Sequence, residues 1–432
     1  MTVTRLLRDG GPVIRKLVWR IVPFLGILYF VSYLDRVNVA FAALTMNGDL
    51  QISPAQFGWG AGIFFLGYLL FQVPSNLMLE RFGARRWIAV IMVAWGIVSM
   101  GMGVITDARQ FLLARLLLGF AEAGFFPGVV LYLTRWFPPS HRGRIMAGFM
   151  LTVPLASVVG APLSSLILQE CHDWAGLEGW RWLFILEGAP ALLGALAVVL
   201  LLPDRPDKAA WLDTRERRWL ASVLAEAQDD MPQPRNAWAT MRDLRVLSFA
   251  LVYFGLTLSL YGVGLWVPLM LKASGTSVAG AALLSAVPYA VAALGMLIWA
   301  HFADARKGAP TANVWVPTVA SAAALALLPL ADDLLWELAC LSVAALGTLA
   351  ALGTFWTIPT RKLPAGEMAV AVASINAVGN LGGFIGPVMV GWTRQLTNSF
   401  HTAALLLAVC IALAAPLLAI AGRPSASQTV RP

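Results

Sequence analysis

Residues 181–202 read RWLFILEGAPALLGALAVVLLL, a run in which only Arg181 and Glu187 are charged. At about 1.5 Å of rise per residue, a helix of this length reaches across the roughly 30 Å hydrocarbon core of a bilayer. Comparable runs recur on both sides of it. Taken in order, the apolar blocks are 18–44, 55–79, 87–105, 109–133, 144–168, 181–202, 245–271, 277–300, 313–331, 335–359, 368–394 and 401–422. Backbone groups in lipid are satisfied only in helices or closed barrels, and barrel strands would alternate over about 10 residues. The whole chain, 432 residues, is 59% hydrophobic and only 12% charged, against about 25% charged in an ordinary soluble domain. A soluble enzyme, a nucleic-acid-binding module and a disordered scaffold are excluded. The expected fold is an all-α integral membrane protein of twelve transmembrane helices in two six-helix bundles. The bundles are expected at 1–202 and 245–432, joined by a linker at 203–244.

The net charge of +8 fits cytoplasmic loops rich in Lys and Arg and needs no nucleic acid. Twenty-five of the 31 basic residues fall on the side shared by both termini, four on the other side, and Arg36 and Arg115 inside spans. Both termini are therefore expected in the cytoplasm of a multi-pass protein of the inner (plasma) membrane. In the linker, Asp213 and Glu216 form an N-cap and N3 pair, followed by an apolar face of Trp219, Leu220, Val223 and Leu224. This reads as an interfacial helix tethering two bundles. Cys171, Cys340 and Cys410 give no disulfide framework or metal spacing, and His141, His172, His301 and His401 lie at span edges or in loops. With no Gly-x-x-x-x-Gly-Lys loop, neither cofactor nor metal is expected.

The halves echo one another. Glu80-Arg81-Phe82-Gly83-Ala84-Arg85-Arg86 follows the second span, and His301-Phe302-Ala303-Asp304-Ala305-Arg306-Lys307 follows the eighth. Gly160-Ala161-Pro162 in the fifth span has a counterpart in Gly386-Pro387 of the eleventh. Repeated six-span halves point to a transporter whose substrate site lies near the midplane between them.

An ionisable side chain within a span is costly, and is a functional candidate for that reason. Asp35 and Arg36 are adjacent in span one, while Arg115 and Glu122 lie seven apart in span four and share a helix face. One reading makes them two acid–base pairs that hold helices together. The other makes the acids a proton relay, each carboxyl changing protonation as an arginine partner is exchanged for a substrate anion. Arginine's planar fork suits a carboxylate. Arg36 is expected to take the substrate and Arg115 to partner Glu122, with the reverse assignment open. Tyr33, Tyr68 and Gln72 in spans one and two, and Trp356, Asn376 and Asn380 in spans ten and eleven, are further candidates for lining the pathway. Glu187 is expected near the outer end of span six, capping it or pairing with Arg181.

Four segments carry a resemblance: Tyr33-Leu34-Asp35-Arg36-Val37-Asn38; Val73-Pro74-Ser75-Asn76 before the Arg81–Arg85 turn; Gly119 to Gly128; and Gly179 to Gly188. Together they resemble the major facilitator superfamily and, within it, the anion:cation symporter family. The resemblance implies proton-driven import of tartrate, sugar acids, phthalate or 4-hydroxyphenylacetate. It also implies proton carriers at Asp35 and Glu122, substrate contacts at Tyr68, Trp356 and Asn376, and a cytoplasmic gate or hinge at Glu80, Arg81, Gly83, Arg85 and Arg86. The expected function is proton-coupled symport of a small organic carboxylate by alternating access, performed by a monomer. An antiporter or facilitator of the same fold is the alternative, and a non-transporting membrane sensor a remote one.

Overall fold

The computed structural model describes residues 3–229, 237–305, 310–363 and 365–421. These residues form helices and short turns, with no strand among them. Twelve helices are long and apolar enough to cross a membrane: Gly11–Asp49, Pro54–Phe82, Ala84–Val104, Ala108–Trp136, Gly148–Glu170 and Gly179–Leu201 in the first half, then Leu244–Gly264, Val278–Ala303, Pro310–Leu330, Leu334–Lys362, Val370–Thr397 and Phe400–Leu418. In chain order these are spans one to twelve. The sequence edges hold to within a few residues, except that span one extends further at both ends and span seven stops at Gly264 instead of 271.

Polar caps explain why the short turns stop where they do. Ser53 Oγ accepts from the Gln56 amide and Gln56 Oε1 accepts from the Ser53 amide, so two otherwise orphaned donors at the start of span two are satisfied reciprocally. Asp107 and Asp333 cap spans four and ten one way only, each carboxylate accepting from backbone amides of the first turn.

Spans four and ten are each built of two helical segments. Span four runs as Ala108–Glu122 and then Phe125–Trp136. Span ten, its counterpart in the second half, runs as Leu334–Phe355 and then Thr357–Lys362, broken at Trp356.

The halves meet on the side of the 50–53 turn. Phe57 stands edge-on to Trp266 with centroids 4.9 Å apart, and Phe65 packs on Tyr261 at 4.2 Å. Lys272 Nζ donates to Leu44 O at 2.5 Å, and the Ala55 amide to Gln395 Oε1 at 3.0 Å. Spans two and eleven approach so closely that a Cβ at Gly58 would lie 2.6 Å from Pro387 O and 3.1 Å from Gly391 Cα. Gly58→Leu is therefore expected to hold this side apart. A cysteine at position 395 should then react with a membrane-impermeant maleimide several-fold faster than in an otherwise native chain.

The linker docks on the first half. Its helix, Thr214–Asp229, opens on the Asp213–Glu216 capping box. Glu216 pairs with Lys16 of span one at 2.8 Å, and Trp211 stacks on Trp136 of span four. Span seven starts on Asp243, whose carboxylate accepts from the Arg245 guanidinium at 2.7 Å and the Arg245 amide at 2.8 Å. Those donors, the guanidinium first, hold the Asp243 carboxyl below the usual carboxylate range. A carboxyl lowered on folding adds stability above its unfolded value near 4 and loses it as pH falls through the folded value. The pair is partly solvent-screened, so about 0.5 kcal/mol is at stake. Below about pH 4, the melting temperature of Asp243→Asn is expected to fall less steeply than that of the native chain.

Candidate functional site

Neighbours on a helix point about 100° apart, so Asp35 and Arg36 face different partners. Arg36 turns toward spans two and four. One of its terminal nitrogens donates to Glu122 Oε2 at 2.8 Å, and Ser32 Oγ approaches the same oxygen at 3.5 Å. Its guanidinium lies over the rings of Phe64 and Tyr68, 5.1 and 5.3 Å from their centroids. Glu122 is the last residue of the first segment of span four, so the acid sits at the helix break.

The expected Arg115–Glu122 pair does not form. Arg115 donates its Nε to Gly60 O at 3.2 Å and lies over Phe64, while both terminal nitrogens are buried without a partner. Sharing a helix face brings Arg115 near Glu122, but the guanidinium is drawn to the backbone of span two. Asp35 turns toward span three instead. Trp95 Nε1 donates to its Oδ2 at 2.8 Å, Ser99 Oγ to its Oδ1 at 2.7 Å, and Asn38 Nδ2 to the same oxygen at 3.4 Å. All three donors are neutral. The picture of two acid–base pairs is thus corrected to one pair, Arg36–Glu122, and one carboxyl ringed by neutral donors. Asp35, Glu122 and Arg115 are fully buried, and Arg36, at 9% exposure, is the member of the group nearest open space.

Tyr33 and Tyr68 are buried beside Arg36. Trp356, at the break of span ten, packs on Tyr253 with centroids 5.3 Å apart. Gln72, Asn376 and Asn380 are half-buried, and no hydrogen bond among the described residues joins them to the Arg36 cluster. Asn380 Nδ2 is left without a partner. Sequence reasoning passed over Tyr29, Tyr253, Tyr261 and Tyr289. Tyr29 stands edge-on to Tyr33 with centroids 6.4 Å apart, Tyr261 packs on Phe65 and Tyr253 on Trp356. The chain has 7 tyrosines, and finding all but Tyr132 within apolar blocks of spans one, two, seven and eight was the available signal.

Glu187 also departs from expectation. Arg181 is taken by Glu178 at 2.5 Å and by the carbonyls of Gly103 and Ile105. Glu187, further along the helix, is buried and accepts from Ser164. In the turn after span two, Gly83 has φ +86°, a backbone region that favours glycine. The Arg85 amide donates to Asp204 and its guanidinium to Val199 O, which ties the turn to span six and the linker of the same half. Glu80, Arg81 and Arg86 are exposed. Arg306 and Lys307 of the second copy lie outside the described residues.

Among the described residues, every buried Asp, Glu, Lys or Arg belongs to the first half. Two six-helix bundles with ionisable side chains buried inside spans one, four and six are the architecture of a membrane transporter, not of an enzyme. The family model of the Major Facilitator Superfamily matches residues 25–387, and the chain belongs to that superfamily. It is 44% identical over 414 residues to a protein of Agrobacterium vitis named "Putative tartrate transporter", covering 96% of this chain and 92% of that one. It is 41% identical over 390 residues to the "Quinolone resistance transporter" of Acinetobacter baumannii, covering 90% and 89%. The fold matches a bacterial homolog of the human lysosomal transporter Spinster with a TM-score of 0.75 at 19% identity, covering 93% of this chain and 96% of that one. It matches the xylose transporter XylE of E. coli with a TM-score of 0.74 at 13% identity, covering 94% and 98%.

Proposed function

We propose that the protein is a proton-coupled symporter of the anion:cation symporter type, importing a small organic anion by alternating access. Its two moving units would be 1–202 and 245–432, joined by the 203–244 linker, in a monomer of the inner membrane with both termini in the cytoplasm. The side on which the halves meet would then be periplasmic. The observation that carries the reading is the buried Arg36–Glu122 pair at 2.8 Å.

A substrate carboxylate that takes Arg36 releases Glu122 from its cation. An unpaired carboxylate in a dry site is costly, so Glu122 binds a proton, and anion and proton become linked. Asp35, one residue from Arg36 but facing span three, would relay that proton. The relatives named for tartrate support a tartrate-like or sugar-acid substrate over an aromatic one, and the phenols around Arg36 suit its hydroxyls. Aromatic walls at Phe64, Tyr68 and Trp356 keep an aryl carboxylate in the test set.

Proteoliposomes holding a pH dye decide the matter. Adding tartrate, galactonate or phthalate outside should acidify the lumen as anion and proton enter together. Substrate entry with no acidification, or with alkalinisation, would overturn symport in favour of a facilitator or exchanger.

A further inference from the structure

Span one, Gly11–Asp49, has 39 residues, about 58 Å of helix, and so overruns the bilayer. On the side opposite the 50–53 turn, Lys16, Arg20 and Phe24 are spaced four apart and stack along one helix face. Lys16, the outermost, is neutralised by Glu216 of the linker helix at 2.8 Å. Phe24, two turns deeper, is apolar. Arg20 lies between them, and no carboxylate among the described residues pairs with it; its guanidinium lies 5.5 Å from the ring centroid of Trp211.

A cavity of about 180 Å³ opens at this point. Its walls are Arg20, Ile21 and Phe24 of span one, Leu201, Leu202 and Pro203 at the end of span six, and Trp211 of the linker. Of these, Arg20 alone is charged and none is acidic. Span six, Gly179–Leu201, has 23 residues, about 34 Å of helix. Its end at Leu201 therefore falls where a hydrocarbon core of roughly 30 Å gives way to headgroups. Leu200 and Leu201 are 69% and 68% exposed, and Trp19, next to Arg20 in the chain, is 74% exposed. Tryptophan favours the membrane–water interface, which sets Arg20 at headgroup depth.

The occupant of such a crevice needs negative charge at the level of Arg20 and hydrocarbon at the level of Phe24 and Leu201. A free inorganic anion meets the first need and leaves the apolar walls wet. A zwitterionic lipid brings a headgroup ammonium, for which the walls offer no acid. The geometry points to a site for an anionic phospholipid, its phosphate held by Arg20 and an acyl chain running against Phe24 and Leu201. Arginine's fork matches phosphate oxygens, and the lipid would join span one, span six and the linker of the same half. The site is independent of which substrate is carried and of how transport is driven.

Native mass spectrometry of the full chain in detergent reads bound lipid directly. Phosphatidylglycerol is expected to be retained about fivefold more than phosphatidylcholine, as one cation at the membrane surface provides. Arg20→Gln, at an exposed position, should abolish that preference. Arg15→Gln removes another exposed charge of the same helix end that does not line the cavity, and should keep it. Inorganic phosphate at millimolar concentration should not displace the lipid. Equal retention of the two lipids, a preference that survives Arg20→Gln, an equal loss in Arg15→Gln, or displacement by inorganic phosphate would each overturn the assignment. The native chain's choice between the lipids, and its response to phosphate, decide the question even where a variant fails to fold.

Discussion

Glu122→Gln is expected to collapse proton-driven accumulation to the level of simple equilibration, with substrate counterflow preserved. One proton moving down one pH unit supplies about 1.4 kcal/mol, a tenfold concentration ratio. A carrier that moves one proton per anion should therefore hold substrate about tenfold above the outside for each unit of gradient, and this variant should hold it at parity. Glutamine retains the size of Glu122 and an oxygen to accept from Arg36, which now sits 2.8 Å from the carboxylate. Arg36 then loses its resting anion and is free to hold substrate without a proton. Asp35→Asn should uncouple as well, since Trp95, Ser99 and Asn38 all donate to its carboxyl and an asparagine has one oxygen to offer them. The measurement is uptake into proteoliposomes with and without an imposed pH gradient. A gradient-driven ratio equal to the native one in both variants would defeat the proposal.

Arg36→Lys is the second large effect expected. The charge survives, so Glu122 keeps a cation and the buried pair is not orphaned. The planar fork is lost, and with it two-point binding of a carboxylate. A hydrogen bond to a charged group contributes about 1.5–3 kcal/mol, so substrate Kd should rise about 10- to 100-fold. Titration calorimetry or ligand-induced thermal shift reads this directly. An unchanged Kd would move substrate recognition to Arg115, whose terminal nitrogens are buried and unpartnered.

The twelve spans were legible because apolar length in lipid leaves the backbone no alternative. The four ionisable residues of spans one and four were legible because charge inside such a run has to be explained. The wiring between them was not. Which of Arg36 and Arg115 reaches Glu122 depends on the register of span one against spans two and four, and that register lies in the packing of Phe64, Tyr68 and Gly60. The break after Glu122 was hidden as well, because Gly119 to Gly128 reads equally as close helix packing. Glu187 was misplaced for a related reason. Arg181 looked like the natural partner along one helix, while across the bundle Glu178 and two carbonyls already held that arginine.

The confinement of buried charge to the first half has an electrical consequence. A membrane voltage exerts about 2.3 kcal/mol per elementary charge per 100 mV, and in the described second half it finds no buried charge to grip. Voltage then acts on the cargo and on the few groups of the first half that meet it. In the proposed rocking cycle the second half would swing as an electrically silent lever, so voltage should bias loading far more than the swing itself.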